Sequence, residues 1–564
     1  MSYIDKYNEW LNNEIIDNIT KDEMKALSDK EIEESFYKDL EFGTAGLRGI
    51  MGPGTNRMNK YTIAKITEGI ANFIINKGYN NPSVVIAYDS RHNSKLFATI
   101  AALVLNKKNI KTYIFKELTA TPVLAYASLY LKTSMAINIT SSHNSKEYNG
   151  YKIYNNEGYQ VVNPDDIDIT NEINKITTYQ NIELDEVESM IQLGLFNYVD
   201  DEVINNFIGQ TKKQIKERYD DNRNLNIIYT PLHGTGDKIM TNLLNSIGFK
   251  NVYSVLEQKE PNGDFPTTPY PNPEDITTFD MAVRDAKIKD ADIIVSTDPD
   301  ADRLGIMIKD DYGEYTLLSG NQVGVLIGSY VLENTDDLDN GVIVRSIVST
   351  KMIDKMAEES GVNIEEVYTG TKYIGEKIYE YQNSLEKKYI YGFEESIGYL
   401  VGTYTRDKNG FSSALVMCEL AELLHEQGKT IMSHLKELYN KYGYYLDKTI
   451  SEEYKGVDGM KNMNSIMNNL RNNYIEEING CLIIKKDDFL SGTSKDIGEN
   501  EGSNILLPPS NVLRYTLEDG SWFAIRPSGT EPKIKIYMQA IDQDETIAKS
   551  KLIKMENDIL KLMK

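Results

Sequence analysis

The strongest constraint on this chain is the regular alternation of short apolar runs with amphipathic stretches. Ser83–Asp89 (SVVIAYD), Lys111–Lys116 and Ser134–Thr140 (SMAINIT) have the β-branched, apolar character of strands. Helical periodicity fills Lys60–Lys77, Ser94–Lys107 and Thr121–Leu131 between them. Strand, helix, strand in that order builds sheets covered by helices, because parallel neighbours need a crossover long enough to hold a helix. The pattern restarts at Asn226–Leu232, reaches Ala291–Thr297, and begins again at Gly341–Ser349 and Lys388–Phe393. Strands this continuously apolar suit burial on both faces. The tail is different: a polar stretch at Asn462–Asn472, strands at Cys481–Lys485 and Ser521–Ile525, and a last helix near Thr546–Met563. That is an α+β pattern. Asp165–Thr178 reads as a surface helix, and no low-complexity linker or short-period repeat is visible.

A length of 564 residues corresponds to roughly four domains. The formal net charge of -24 repels phosphate backbones and anionic lipid, which argues against a nucleic-acid or membrane-surface binder. Two cysteines, Cys418 and Cys481, exclude a disulfide framework and a Cys-rich zinc site. The N-terminal stretch MSYIDKYNEW carries acids where a signal peptide needs an apolar core, and the longest apolar runs, such as 98–105, are far too short for a membrane span. The expectation is a multidomain cytoplasmic protein.

Four loops carry chemistry. Thr140-Ser141-Ser142-His143-Asn144 follows a strand and precedes Asn149-Gly150-Tyr151-Lys152. An oxygen nucleophile needs a base nearby, and His143 and Lys152 both qualify; a polar turn after a strand is the plainer reading. Asp298-Pro299-Asp300-Ala301-Asp302-Arg303 also follows an apolar strand, and its alternating carboxylates can converge on one hard cation. An EF-hand needs Gly at its sixth position and Glu at its twelfth, where this chain has Arg303 and Lys309. Mg²⁺ suits three carboxylates with positions left for water or phosphate oxygen. Gly392-Phe393-Glu394-Glu395-Ser396 could accept hydrogen bonds from sugar hydroxyls, although the bare pattern reads more readily as a surface turn. Arg526-Pro527-Ser528-Gly529-Thr530-Glu531-Pro532-Lys533 has the hydroxyls, the glycine and the flanking cations of a phosphate cradle. It is not a nucleotide P-loop, because no G-x-x-x-x-G-K-[ST] occurs in the chain. These loops lie at domain-sized intervals of 156, 92 and 130 residues, so each domain would contribute one of them to a shared cleft. A nucleophile, a metal, a hydroxyl reader and a phosphate cradle together describe phosphoryl transfer on a phosphorylated sugar.

In this order, TSSHNSKEYNGYK, DPDADR, GFEES and RPSGTEPK resemble the α-D-phosphohexomutase superfamily, the phosphoglucomutase/phosphomannomutase family, over essentially the whole chain. FGTAGLRG (42–49), TGTKYIG and GFEESIGY are most similar to its longer phosphoglucomutase and phosphopentomutase branch. The resemblance implies an α/β fold: three related α/β domains with mixed sheets and a smaller C-terminal α+β domain around a central cleft. We place them at 1–205, 206–325, 326–445 and 446–564. It further implies a phosphoryl group on Ser142 and an Mg²⁺ site of Asp298, Asp300, Asp302 and the Ser142 oxygen. Arg303 would contact the active phosphoryl group. Thr44, Arg48, Glu394, Ser396, Lys408, Arg526, Ser528, Gly529, Thr530 and Lys533 would bind substrate. Ser141 and Ser145 stand where the family usually has Ala and Pro.

The implied reaction interconverts glucose 1-phosphate and glucose 6-phosphate through a phosphoserine enzyme, with glucose 1,6-bisphosphate as intermediate and activator, in a monomer or homodimer. A phosphopentomutase, a phosphomannomutase and a hexose-bisphosphate synthase keep the same chemistry on other substrates. An inert sugar-phosphate binder would need neither Ser142 nor the aspartates. A haloacid-dehalogenase-type phosphatase could use Asp298-x-Asp300, but it would leave the serine and phosphate loops unexplained.

Overall fold

The computed structural model describes residues 2–41, 46–179, 184, 186–216, 223–384, 386–454, 459–473, 475–497, 502–527 and 533–563. Three of its sheets share one topology. In each, a central strand pairs in parallel with the next strand on one side and with the third on the other, and a fourth strand returns antiparallel to the third. The first sheet uses Ser83–Tyr88, Lys111–Ile114, Met135–Ile139 and Tyr148–Tyr154, with Leu47–Ile50 and Phe196–Tyr198 added at its edges. The second uses Arg223–Thr230, Phe249–Ser254, Ile293–Thr297 and Leu304–Lys309, with Tyr315–Leu317 at its edge. The third uses Gly341–Ser346, Asn363–Val367, Lys388–Glu394 and Gly398–Val401. The mixed sheets read from the sequence are present, and every residue of Met135–Ile139, Ile293–Thr297 and Gly341–Ser346 is buried, as strands covered on both faces require.

The expected helices Lys60–Lys77, Ser94–Lys107 and Thr121–Leu131 are found at those bounds. The acid-rich stretch after Pro164 is helical over Asp165–Asn174, with Ile169 as its buried residue. The largest core cluster joins the three sheets around the helix Gly410–Glu426, whose sequence GFSSALVMCELAELLHE is apolar on most of its circumference. A helix buried on every side has to be apolar all round. Asn409 caps it, its side chain accepting from the Phe411 and Ser412 N–H groups. Gly410 permits the docking of this end: a Cβ there would sit 2.8 Å from the Ala301 carbonyl.

The last sheet is antiparallel, running Tyr444–Glu453, Lys533–Asp542, Trp522–Pro527, Leu513–Leu517, Cys481–Asp488, Thr493–Asp496 and Ser503–Asn504. The helices Gly459–Asn472 and Glu545–Leu562 supply residues to its core. The stretch read as merely polar is therefore helical: Met463, Met467 and Leu470 fall on one face and are buried, and the asparagines between them face outward. The domain docks on the third sheet through Ile347, Val348, Tyr368, Phe489, Trp522 and Tyr537. Arg514 clamps the same junction, donating to both Glu366 oxygens at 2.8 and 3.0 Å.

Candidate active site

The connection from third to fourth strand holds one of the candidate loops in each of the three related sheets. It is residues 140–147 in the first, 298–303 in the second and 395–397 in the third. Each connection holds one non-glycine residue in the left-handed region: Ser142 at φ 54°, Ala301 at 53° and Ile397 at 51°. Such conformations persist only where the surroundings impose them, and they gather at functional sites.

Ser142 is almost fully buried. Its Oγ donates to Asp298 Oδ2 at 2.5 Å and lies 3.2 Å from His143 Nδ1. The first two loops thus meet on the serine. Asp298 Oδ1 accepts from the Asp302 and Arg303 N–H groups at 3.1 and 3.0 Å, which folds the metal loop onto its first carboxylate. Lys152 Nζ bridges Asp300 Oδ2 at 2.7 Å and Asp302 Oδ2 at 2.8 Å, and Lys408 Nζ reaches Asp302 Oδ2 at 3.1 Å. Carboxylate oxygens of Asp298, Asp300 and Asp302 lie within 4.8 Å of one another. Asp300 Oδ1 and Asp302 Oδ1 are buried without a hydrogen-bond partner among the described residues. An all-oxygen donor set with unpaired anionic oxygens fits a hard divalent cation.

His143 and Lys152 separate as proton carriers. Burial holds His143 well below its ordinary pKa, and Arg303, Arg48, Arg91 and Lys152 push it the same way. It is a neutral imidazole at pH 7. Burial alone would depress Lys152, but Asp300, Asp302 and Asp407 outweigh it and hold the amine above its ordinary value. Lys152 is a fixed cation.

Arg48 Nη1 donates to Asn144 Oδ1 at 2.8 Å, and Arg303 Nη1 donates to the Ser396 carbonyl at 3.3 Å. The Nε atoms of both arginines are buried without a hydrogen-bond partner among the described residues, so two guanidinium groups have donors left for an anion. The third loop is not the surface turn its pattern suggested. Glu394 and Glu395 are buried, Glu394 Oε2 accepts from the Gly370 N–H at 3.0 Å, and Glu395 Oε2 accepts from Ser346 Oγ at 2.7 Å. Ser396 Oγ donates to Glu395 Oε1 at 3.3 Å. Burial pushes Glu394 up to about 7 against the opposing pull of Lys408, with Glu395 adding to the rise. Arg526, on Trp522–Pro527, lies beside Tyr537, and Lys533 begins the neighbouring strand at the same end, its Nζ 3.8 Å from Glu453 Oε1. Thr44, Ser528, Gly529 and Thr530 lie outside the described residues.

Several supporting residues escaped the sequence reading. Thr121 Oγ1 donates to Asp300 Oδ2 at 2.6 Å and accepts from Asn138 at 2.6 Å. Asp407 takes hydrogen bonds from Thr371, Tyr154 and Gln160 beside Lys408. Thr235 donates from N and Oγ1 to the Pro299 carbonyl at 2.8 and 3.0 Å. Gly234 makes that approach possible, since a Cβ there would be 2.3 Å from Pro299 Cα. Arg91 holds the backbone of the serine loop. Two of these have a readable signal: Arg91 and 231–236 follow the central strands of their sheets, and ligands in α/β folds gather at the carboxyl ends of strands.

Comparison with known proteins decides the family. Four successive segments match the phosphoglucomutase/phosphomannomutase family: 39–180, 205–313 and 319–442 match its alpha/beta/alpha domains I, II and III, and 465–550 its C-terminal domain. The chain belongs to this family. A phosphoglucomutase of Staphylococcus haemolyticus is 35% identical over 517 residues, covering 92% of this chain and 93% of that one. A phosphoglucomutase of Staphylococcus aureus is 36% identical over 527 residues, covering 93% of each. Among solved structures, a putative phosphomannomutase of Thermus thermophilus superposes with a TM-score of 0.70 at 18% identity, covering 93% of this chain and 99% of that one. The open form of parafusin, a phosphoglucomutase of Paramecium, gives 0.66 at 17% identity, covering 93% and 95%. At these identities the structures bear on the fold, which is the α/β architecture expected. Among the described residues no helix is long and apolar enough to cross a membrane.

Proposed function

We propose that this chain interconverts glucose 1-phosphate and glucose 6-phosphate, with Ser142 carrying the phosphoryl group and glucose 1,6-bisphosphate as intermediate. The observation that carries the reading is Ser142 Oγ, buried between His143 and Asp298, the latter clustered with Asp300 and Asp302, whose Oδ1 atoms are unpaired among the described residues. Relatives that cover nine-tenths of the chain are named phosphoglucomutases, which favours glucose over mannose or pentose phosphates.

Asp298, Asp300 and Asp302 would hold Mg²⁺, with a Ser142 phosphoryl oxygen completing the site. When bound, the ion supplies charge neutralisation at the transferring oxygens. The protein's own part is mostly positioning and electrostatics, as phosphoryl transfer demands. His143, neutral and 3.2 Å from Ser142 Oγ, takes the serine proton when the serine attacks and passes it to the departing sugar oxygen; in the other direction it takes the proton of the attacking sugar hydroxyl and gives it to the departing serine oxygen. Lys152 keeps its proton and fixes two of the aspartates. Arg48 and Arg303 steady the phosphoryl group. Glu394, titrating near neutrality, and Ser396 hold the sugar hydroxyls beside Lys408. Arg526, with Ser528, Gly529, Thr530 and Lys533, cradles the phosphate that is not reacting, and Thr44 and Arg48 also bind substrate. Because one serine both gives and recovers a phosphate, the bisphosphate must turn around, so the cradle has to accept either end of the sugar.

The reading is tested by following both directions with glucose phosphates while locating the phosphate on the protein. Phosphate on Ser142 and a lag removed by glucose 1,6-bisphosphate are expected. Phosphate confined to Ser141 overturns the nucleophile. A kcat/KM for ribose 1-phosphate about tenfold above that for glucose 1-phosphate, roughly 1.4 kcal/mol, overturns the substrate.

A further inference from the structure

The serine loop has an unusual anchor. Residues 140–148 read TSSHNSKEY, with no proline to restrict the backbone, yet Ser142 is held at a left-handed φ of 54°. Arg91, buried at the carboxyl end of the central strand, reaches under this loop. Its Nη1 donates to the Ser145 carbonyl at 2.7 Å and the Tyr148 carbonyl at 3.0 Å. Its Nη2 donates to the Ser142 carbonyl at 2.6 Å and to that of Asn144. Four N–H groups of one planar fork thus meet four carbonyls within seven residues, and Nε lies 3.3 Å from Asp89 Oδ2.

The anchor is itself anchored. Asp89 accepts from the Arg91 N–H at 3.0 Å, from Ser94 Oγ at 2.8 Å and from Thr140 Oγ1 at 2.6 Å, and Thr140 Oγ1 in turn accepts from the Ser142 N–H at 2.9 Å. The second domain closes over the guanidinium: the Phe265 ring lies 4.9 Å from it, and Asp264 sits 3.2 Å from His92 and 3.5 Å from Lys146. A lysine cannot replace this arrangement, because its donors radiate from a single nitrogen and cannot match a rigid fork.

We propose that Arg91 is the positioning residue of the phosphoryl-carrying loop, supplying by hydrogen bonds to four carbonyls the restraint that the loop's sequence lacks, and so setting where Ser142 Oγ stands. The proposal rests on the reading of Ser142 as the phosphoryl carrier. Arg91 touches neither sugar nor phosphate, and it acts through the backbone it holds.

The test uses the full chain with Arg91→Lys, alone and with Ser145→Pro. Among the described residues the Ser145 N–H makes no backbone hydrogen bond, so a proline there restricts the loop at the cost only of the Ser145 hydroxyl's bond to Glu147. Arg91→Lys is expected to lower kcat about 100-fold with KM within about threefold, the signature of a displaced reacting atom. Amide exchange should rise across 141–148 and stay unchanged in Ser94–Lys107. Ser145→Pro should then recover about threefold or more in kcat by narrowing the loop's conformations. A kcat for Arg91→Lys close to that of the wild type, or a loss that Ser145→Pro does not lessen, overturns the proposal. If Arg91→Lys does not fold, Phe265→Leu serves, because it strips the ring from the guanidinium and lets water compete for its four hydrogen bonds. Faster exchange confined to 141–148 supports the anchor, and unchanged exchange there refutes it. Failure of the underlying reading shows separately, as wild-type protein without phosphate on Ser142.

Discussion

Replacing Lys152 by methionine isolates the charge balance of the metal loop. Lys152 Nζ is 2.7 Å from Asp300 Oδ2 and 2.8 Å from Asp302 Oδ2, and both carboxylates are fully buried. Methionine keeps the volume and removes the charge. Breaking a buried pair by deleting one partner costs about 3–5 kcal/mol, because the other partner stays buried and uncompensated. Lys408 remains 3.1 Å from Asp302, which puts the expected loss at the lower end, about 3 kcal/mol or roughly 150-fold in the folding equilibrium. A divalent cation on the same carboxylates would replace the missing charge, and a ligand at 100 times its Kd adds about 2.7 kcal/mol to the native state. The gap between variant and wild type should therefore be about 3 kcal/mol in chelator and narrow steadily as Mg²⁺ is added. Urea unfolding read by tryptophan fluorescence measures it: Trp10 sits in the core of the N-terminal helices, and Trp522 at the docking face of the last domain. A variant as stable as wild type in chelator refutes the pairing. A gap of equal size with and without Mg²⁺ refutes the shared site.

Asp300→Ala should abolish turnover and Mg²⁺ binding in calorimetry, since Asp300 Oδ1 is one of the unpaired oxygens; full activity of this variant without metal would contradict the metal role. Arg526→Ala should weaken substrate binding about 10- to 150-fold in both directions, from the loss of one charged hydrogen-bonding partner worth about 1.5–3 kcal/mol; a loss in one direction alone would contradict a shared cradle. Glu394 is pushed up to about 7 in the folded chain, so the native state binds a proton that the unfolded state has released. Its contribution to stability is present in full below the unfolded pKa of about 4.5 and is lost as pH rises toward 7. Glu394→Gln should remove that slope from a stability–pH profile, and an unchanged slope would place the titration elsewhere.

Most of the architecture was legible because strand-forming runs such as SVVIAYD and SMAINIT are apolar throughout and separated by clear helical periods. The kinship of the three domains was reached through the family resemblance alone. It lies in strand order and in the sign of one φ per connection, and no residue type marks it: Ser142, Ala301 and Ile397 have nothing in common but their backbone. Of the site, the clustered motifs were legible because their side chains meet the reaction directly. Arg91 and Thr235 were missed because they work on carbonyl groups, which leave no trace in sequence; only their place after a central strand could have pointed to them. Glu394 was misread as a bare pattern for a related reason. Nothing within GFEES shows that Gly370, 24 residues away, would receive its carboxylate.

The equivalence of the three connections also accounts for the division of labour. A turn between the third strand and its antiparallel return projects past the carboxyl ends of the parallel strands, where dipoles and unfilled backbone donors collect. Three such turns brought around one helix, Gly410–Glu426, face a common space, and contacts such as Ser142–Asp298 and Arg303–Ser396 are what their convergence looks like. On the proposed reading, phosphoryl carrier, metal ligands and sugar reader occupy fixed places, because each hangs from a sheet that shares one core. The phosphate cradle cannot be a fourth member of that set. It must release one end of a bisphosphate and take the other, and a group bound into the common core could not let go. Its domain has most of its core to itself, although Tyr445 and Ile541 pack into the shared one, and the Ile347–Trp522 cluster with the Arg514–Glu366 clamp ties it to the third sheet. On the proposed reading, the function that requires movement thus falls to the domain with the smallest share in the common core.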